Sequence, residues 1–175
     1  MDPVIQTDRL TLRRPEEPDA AGLARFINDF EVARQTGTIP HPYTPLHAEV
    51  WIMTRSAFWR RGLERAYVIT RGGALIGSVA LFRPSVDAPF SLGYMLSRDQ
   101  WGRGYMSEAV AAVLAAAARA GVERIGATVF ADNPASSRVL EKLCFQPSGN
   151  GRSFSMARME SAPVIEYLWT SGAAA

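Results

Sequence analysis

The chain is short of several residue types on which common chemistries depend. It has one cysteine, Cys144, so no disulfide can form within it. That residue reads as a small hydrophobe or a half-buried thiol. It has two histidines, His41 and His47, and neither has the ligand company that a metal site needs, so no metal is expected. Charge of either sign is scarcely in excess. Lys and Arg total 19 against 17 Asp and Glu, a formal net charge of +2, and the basic residues are nearly all arginine. That surplus is too small to argue for nucleic acid, although a locally basic face could serve an anionic ligand. No apolar run approaches the ~18 residues of a membrane helix. Polar residues interrupt "MDPVIQTDRLTLRRP" at once, unlike a secretion signal. A soluble, cytoplasmic protein without membrane contact is expected. There is no internal repeat, and the only biased stretch is a short Gly/Ala tail.

What remains is an ordinary globular composition, 47% hydrophobic and 21% charged over 175 residues, and one domain spanning residues 1–175 is expected. Leu10 and Leu12 alternate with Arg9, Thr11 and Arg13, as on a half-buried strand. Glu17-Pro18-Asp19 opens a helix striped by Leu23, Phe26, Ile27 and Phe30. A proline-rich loop follows. Thr44-Pro45 then caps a second helix that carries Trp51, Phe58 and Trp59 and ends near Gly62. Those aromatics read first as packing. Tyr67–Ile69 and Leu75–Phe82 form strands joined at Arg71-Gly72-Gly73, and "FSLGYMLS" is the next strand. In "GRGYMSEAVAAVLAAAARAG", Met106, Ala109, Val110, Val113, Leu114 and Ala117 recur at helical spacing, and Gly121 ends the helix. "RIGATVF" is a strand, and Asn133-Pro134 starts a helix with Val139, Leu140 and Leu143 inward. Two strands, near 153–158 and 164–170, complete an order of seven strands and four helices. That order implies a mixed α/β sheet with one crossover rather than a doubly wound fold.

The segment "QWGRGYMSEA" at 100–109 places two glycines where the long helix begins. A helix N-terminus carries unpaired N–H groups and about half a positive charge. Gly102 and Gly104 allow a phosphate to approach the main chain, Arg103 adds charge and Ser107 a hydroxyl. A dinucleotide fingerprint would need a third glycine where Ser107 stands, and the Gly-Lys-Ser/Thr of a P-loop is absent. On spacing alone, Gly-Arg-Gly is weak evidence and a plain strand–helix turn is the better reading.

The wider segment "LGYMLSRDQWGRGYMSEAV" closely resembles the acetyl-CoA loop of the GNAT acetyltransferase superfamily, in the RimJ/RimL-like branch named for acetylation of ribosomal-protein N-termini. "IQTDRLTLRRP", "GALIGSVALF" and "NPASSRVLEKLCF" are similar to three further segments of that family, in the same order. The resemblance implies a GNAT-type α+β fold, a mostly antiparallel seven-stranded sheet flanked by about four helices and splayed between its fourth and fifth strands. It implies that the amides of Trp101, Gly102, Arg103, Gly104, Tyr105 and Met106, with Ser107 nearby, hold the pyrophosphate of coenzyme A. Pantetheine would pair with exposed main-chain groups at Met95, Leu96 and Ser97, and one backbone N–H there would stabilise the oxyanion.

Asn133 and Ser136 match the family's Asn and Ser. Asn133 would hold the pantetheine arm and Ser136 would protonate the leaving thiolate, or both would only organise the turn into the helix. Lys142 reads as a solvated charge or a distant phosphate partner. Glu108, where the family often has Glu, is a candidate base or equally a structural cap. The last strand region lacks an acid at a place where some N-terminal acetylases have one, which puts a ribosomal-protein substrate in question. His41, Tyr43 and Tyr94 are acceptor-side candidates, and Asp87 and Glu31 lie on loops or helix ends that border the same region. The function implied is acetyl-CoA-dependent N-acetylation of a primary amine, on a protein N-terminus or a small molecule, by direct transfer. A non-catalytic acyl-CoA sensor or partner-binding module on the same fold is the alternative. A homodimer is compatible with the branch but is not fixed by the sequence.

Overall fold

The computed structural model describes residues 1–172; the tail alanines, 173–175, lie outside the described residues. Strand β1 (Val4–Gln6) folds back on β2 (Thr11–Arg13), with Ile5 and Leu12 as its buried side chains. A short 3-10 turn at Glu17–Asp19 leads into α1 (Ala20–Ile27), followed by α2 (Phe30–Ala33) and α3 (Pro45–Arg60). Strands β3 (Glu64–Arg71) and β4 (Ala74–Phe82) form a hairpin. Its two-residue turn needs positive φ at both Gly72 (55°) and Gly73 (82°), which glycine adopts at little cost. Then come β5 (Phe90–Leu96), α4 (Tyr105–Arg119), β6 (Arg124–Phe130), α5 (Pro134–Lys142), β7 (Gln146–Ser155) and β8 (Glu160–Thr170).

The eight strands form one sheet in the order β1-β2-β3-β4-β5-β6-β8-β7. Every neighbouring pair is antiparallel except β5 and β6, which α4 connects in parallel. That ladder is short. It runs only from Phe90↔Ile125 to Leu92↔Ala127. Beyond it β5 stays paired with β4 as far as Leu96↔Gly77, while β6 stays paired with β8 as far as Phe130↔Val164. The sheet therefore opens into a V between β5 and β6, the splay expected from the sequence. Gly77 is what lets β4 hold β5 so closely there, because a Cβ would lie 2.5 Å from the Met95 carbonyl oxygen.

Strand alternation sorts the core. On one face, Tyr67, Ile69, Val79, Leu81, Ile125 and Tyr167 pack against α4 and α5, where Val110, Val113 and Leu140 are fully buried. A fully buried aliphatic side chain of this size contributes about 1.5–3 kcal/mol. On the other face, Val68 packs with Leu23, Phe26, Ile27 and Ala48 under α1 and α3.

Four sequence expectations need correction. The sheet has eight strands rather than seven, because β1 is three residues long and shows no alternation to read. There are five α-helices rather than four. The first helix does not continue to Phe30, since the chain turns at Asn28-Asp29 and the Asp29 carboxylate accepts the Glu31 N–H (2.9 Å) to start α2. Phe30 is left 40% exposed, edge-on to His41. Finally, β7 begins at Gln146, not near Ser153. Its Pro147, Gly149 and Gly151 read as loop, yet β7 is an edge strand with an irregularity at Pro147/Gly149, where a missing N–H is tolerated.

Candidate active site

The glycine loop is built by the end of β5. The Ser97 N–H donates to the Ile76 carbonyl (2.8 Å), and the Trp101 indole N–H reaches back to the Leu96 carbonyl (2.8 Å). Gly102 (φ 72°) and Gly104 (φ 78°) both adopt left-handed backbone, and Gly104 is the N-cap of α4. No side chain caps this helix. The N–H groups of its first turn, Tyr105 to Ser107, are therefore open to an anion, reinforced by a fifteen-residue helix dipole.

A brace from the N-terminal segment fixes the loop from behind. Arg9 donates to the Arg103 carbonyl (3.1 Å) and to Glu108 (2.6 Å), and its guanidinium lies 4.6 Å from the centroid of the Tyr105 ring. Thr7 donates to the other Glu108 oxygen (2.6 Å). Burial by itself would raise the Glu108 carboxyl, but the Thr7 and Arg9 hydrogen bonds outweigh it and hold the group below its usual range. Glu108 faces this brace and does not line the cleft described next.

A cleft of about 1310 Å³ passes through the sheet where β5 and β6 part. Of the sequence-predicted residues, it is lined by Gly102, Gly104, Tyr105, Met106 and Ser107 from the loop and by Trp101 beside them. Tyr94, Met95 and Leu96 of β5, Asn133, Ser136 and Lys142 of α5, and Tyr43 and Glu31 from the other side also line it. Arg103, Ser97, His41 and Asp87 are not on its wall. Arg103 meets the brace through its carbonyl, and Ser97 spends its N–H on β4 and its hydroxyl on Asp99. His41 Nε2 pairs with the Asn28 carbonyl (3.1 Å).

The expectation for Met95–Ser97 is narrowed by strand alternation. Because the Ser97 N–H points to β4, so do the main-chain groups of Met95, while those of Leu96 and Tyr94 point into the gap. The Leu96 carbonyl is already taken by Trp101, which leaves the Leu96 N–H and both groups of Tyr94.

The same alternation gives the cleft two halves. Leu92, Tyr94 and Leu96 face α4 and α5, and Ser91, Gly93 and Met95 face α1 and α3. On the first side, the Tyr94 hydroxyl lies 2.7 Å from Ser136 Oγ and 3.2 Å from the Ser136 carbonyl, bridging β5 to α5. This places Tyr94 opposite the acceptor-side position expected from the sequence. Burial pushes its phenol up to about 12, against the opposing pull of Ser136. Asn133 Oδ1 accepts the Ser136 N–H (3.1 Å) and so caps α5. Gln100, unanticipated, also lines this half, with Oε1 buried and unpaired while its amide N–H is held by Asp99 (2.6 Å).

The second half has a floor of small residues, Ser78, Ala80, Ser91 and Gly93, under aromatic walls from Tyr43, Trp51 and Phe58. His47 Nδ1 accepts the Thr44 N–H (3.0 Å) at the start of α3, and its ring stacks on Tyr43. Arg55, beside the Trp51 and Phe58 rings, pairs with Glu64, which is only 8% exposed. A charged residue at a strand start reads as solvated in sequence, so nothing there signalled this pair.

One wall, the 35–40 loop, is tied down from the end of β7 and the turn that follows it. The Met156 N–H donates to the Gly37 carbonyl (3.1 Å) and Ser155 Oγ to the Thr36 carbonyl (2.9 Å). Arg158 donates to the Arg34 carbonyl and, through both terminal nitrogens, to Asp132. Hydrogen bonding from Arg158 holds the Asp132 carboxyl below its usual range.

Comparison with known proteins agrees with this fold. The model of the acetyltransferase (GNAT) domain family matches residues 9–146. The N-acetyltransferase YoaA of Bacillus subtilis (strain 168) is 32% identical over 160 residues, covering 88% of this chain and 89% of its own. Among solved structures, RimL, a ribosomal L7/L12 alpha-N-protein acetyltransferase in complex with coenzyme A, superposes with a TM-score of 0.85 at 18% identity, over 95% of this chain and 97% of that one. The ribosomal-protein-S5-alanine acetyltransferase from Vibrio fischeri also gives 0.85, at 19% identity over 98% of both chains. With a matching family model over most of its length and a sheet that opens where a coenzyme arm could enter, this chain belongs to the GNAT acetyltransferase family and is an N-acetyltransferase.

Proposed function

We propose that the protein transfers the acetyl group of acetyl-CoA directly to a primary amine while both are bound in the two halves of the cleft. The observation that carries this reading is the continuity of those halves through the gap between β5 and β6. The open amides of Tyr105 to Ser107 and the positive-φ glycines suit a pyrophosphate. The buried, unpaired Gln100 Oε1 suits an amide N–H of the pantetheine arm. Acetyl-CoA supplies an activated thioester. The chain supplies position, a backbone N–H at Tyr94 or Leu96 for the oxyanion, and exclusion of water.

Direct transfer is favoured over an acyl-enzyme because, among the described residues, the cleft offers no activated nucleophile. Cys144 is not on its wall, and Ser136 faces a neutral phenol rather than a base. Glu108 is committed to the loop brace, so we assign it a supporting role. Glu31 and Glu64, the carboxylates that do line the acceptor half, are paired with Arg34 and Arg55. With both carboxylates paired, the amine sheds its proton to water or to the His47 imidazole, which lines the same half. The acceptor is a protein N-terminus or a small amine. Titration calorimetry with acetyl-CoA, followed by thiol release across a panel of primary amines, tests this. Binding with transfer to at least one amine is expected. No binding at millimolar ligand overturns the reading, and binding without transfer to any amine would leave an acyl-CoA sensor.

A further inference from the structure

We propose that Tyr94 is a positioning residue for departure of the thiolate: its phenolic O–H donates to Ser136 Oγ and turns the Ser136 hydroxyl hydrogen toward the cleft. This rests on the transfer function proposed above. The two oxygens are 2.7 Å apart, and the pair spans the gap from β5 to α5. Either hydroxyl can donate across that contact, and we assign the donor role to the phenol, the stronger acid. Its hydrogen lies between two acceptors of one residue, with the Ser136 carbonyl at 3.2 Å. Ser136 Oγ has no other partner among the described residues, and Ser136 lines the cleft. Accepting from Tyr94 leaves its single hydrogen for whatever occupies that space.

The amine nitrogen bonds to the thioester carbon, and the C–S bond breaks with its electron pair on sulfur. Ser136 hydrogen-bonds that sulfur as the charge develops, and the proton shed by the nitrogen reaches the thiolate through water. Tyr94 keeps its proton throughout. Burial keeps the phenol neutral well beyond physiological pH, which suits a fixed donor.

A double-mutant cycle tests this. Tyr94→Phe, which retains the ring, is expected to lower the single-turnover rate roughly tenfold with the best amine of the panel, the size of one lost hydrogen bond. Its acetyl-CoA Kd is expected to stay within about twofold of wild type. Ser136→Ala is expected to cost as much or more. Adding Tyr94→Phe to Ser136→Ala is expected to change nothing further. Multiplicative losses, an unchanged rate in Tyr94→Phe, or weakened acetyl-CoA binding in Tyr94→Phe each overturn the inference while leaving the transfer function standing. A wild-type protein that binds acetyl-CoA yet acetylates no amine overturns the transfer function itself, a pattern none of the variant outcomes produces.

Discussion

The two halves of the cleft are made in different ways. The half facing α4 and α5 is largely backbone. The anion site proposed for it is the first turn of α4 and two glycines within three residues, Gly102 and Gly104, supported by a strand end and one indole. The half facing α1 and α3 is side chains drawn from α1, α3, β3, β4 and the 35–40 loop, which the end of β7 and its following turn hold in place. A backbone site binds what every member of a family shares, because amides look alike whatever residue carries them. A side-chain site built from distant segments can change its ligand one residue at a time. We therefore propose that affinity for the coenzyme lies in one half and choice of amine in the other.

The sharpest way to break that division is Gly104→Asp. A carboxylate at the helix N-terminus, on a backbone with φ 78°, should weaken acetyl-CoA binding more than a hundredfold by titration calorimetry. Gly104→Asn carries similar strain without charge and should lose far less; equal losses would mean that strain, not anion binding, governs the loop. Next, Arg55→Met strands Glu64 in the acceptor wall. Its partners keep 17% and 11% exposure, so a stability loss of about 2–3 kcal/mol in denaturant titration is expected. Adding Glu64→Leu should recover most of it, and the coenzyme Kd should not move in either variant.

The pH dependence of transfer follows the acceptor. With an α-amino acceptor, the rate should rise about tenfold per unit and level near pH ~8; with a lysine-like amine the rise should continue toward ~10. A plateau common to all amines would instead reveal a base in the protein. Arg158→Gln frees the 35–40 loop and should raise the acceptor KM about threefold, the loss of a partly exposed charged hydrogen bond, without affecting coenzyme binding. The smallest effect concerns the brace. The Glu108 carboxyl lies below its ordinary 4.5 in the folded protein, so its contribution is complete above that value and fades as pH falls through the folded one. The stability difference between wild type and Glu108→Gln should therefore shrink below about pH 4.5.

The coenzyme half was legible because its parts are adjacent in sequence. Gly102, Gly104 and the periodic run to Ala117 announce a helix with an open end, and Asn133-Pro134 announces the next. The acceptor half was not. Tyr43 and Glu31 line the cleft, whereas His41 and Asp87, equally plausible by position, lie off its wall. Tyr94 was assigned to the wrong side, because which face a strand residue takes depends on register with β4. Glu64, Arg55 and Gln100 carried no signal, since each is an unremarkable polar residue until its neighbours are in place.

Local order is what the amino-acid sequence determined by itself: helix starts, the Gly72-Gly73 turn, the glycine loop, and from these the family and its coenzyme. These depend on φ/ψ preferences and periodicity over a few residues, which act before any distant contact forms. Tertiary structure alone decided that the β5–β6 ladder stops at Leu92, that Tyr94 meets Ser136, and that Arg55 and Glu64 share one wall of the acceptor half. Those outcomes depend on strand register and on pairing between segments up to 42 residues apart, as with Tyr94 and Ser136. Such pairing is settled by the packing of the whole sheet.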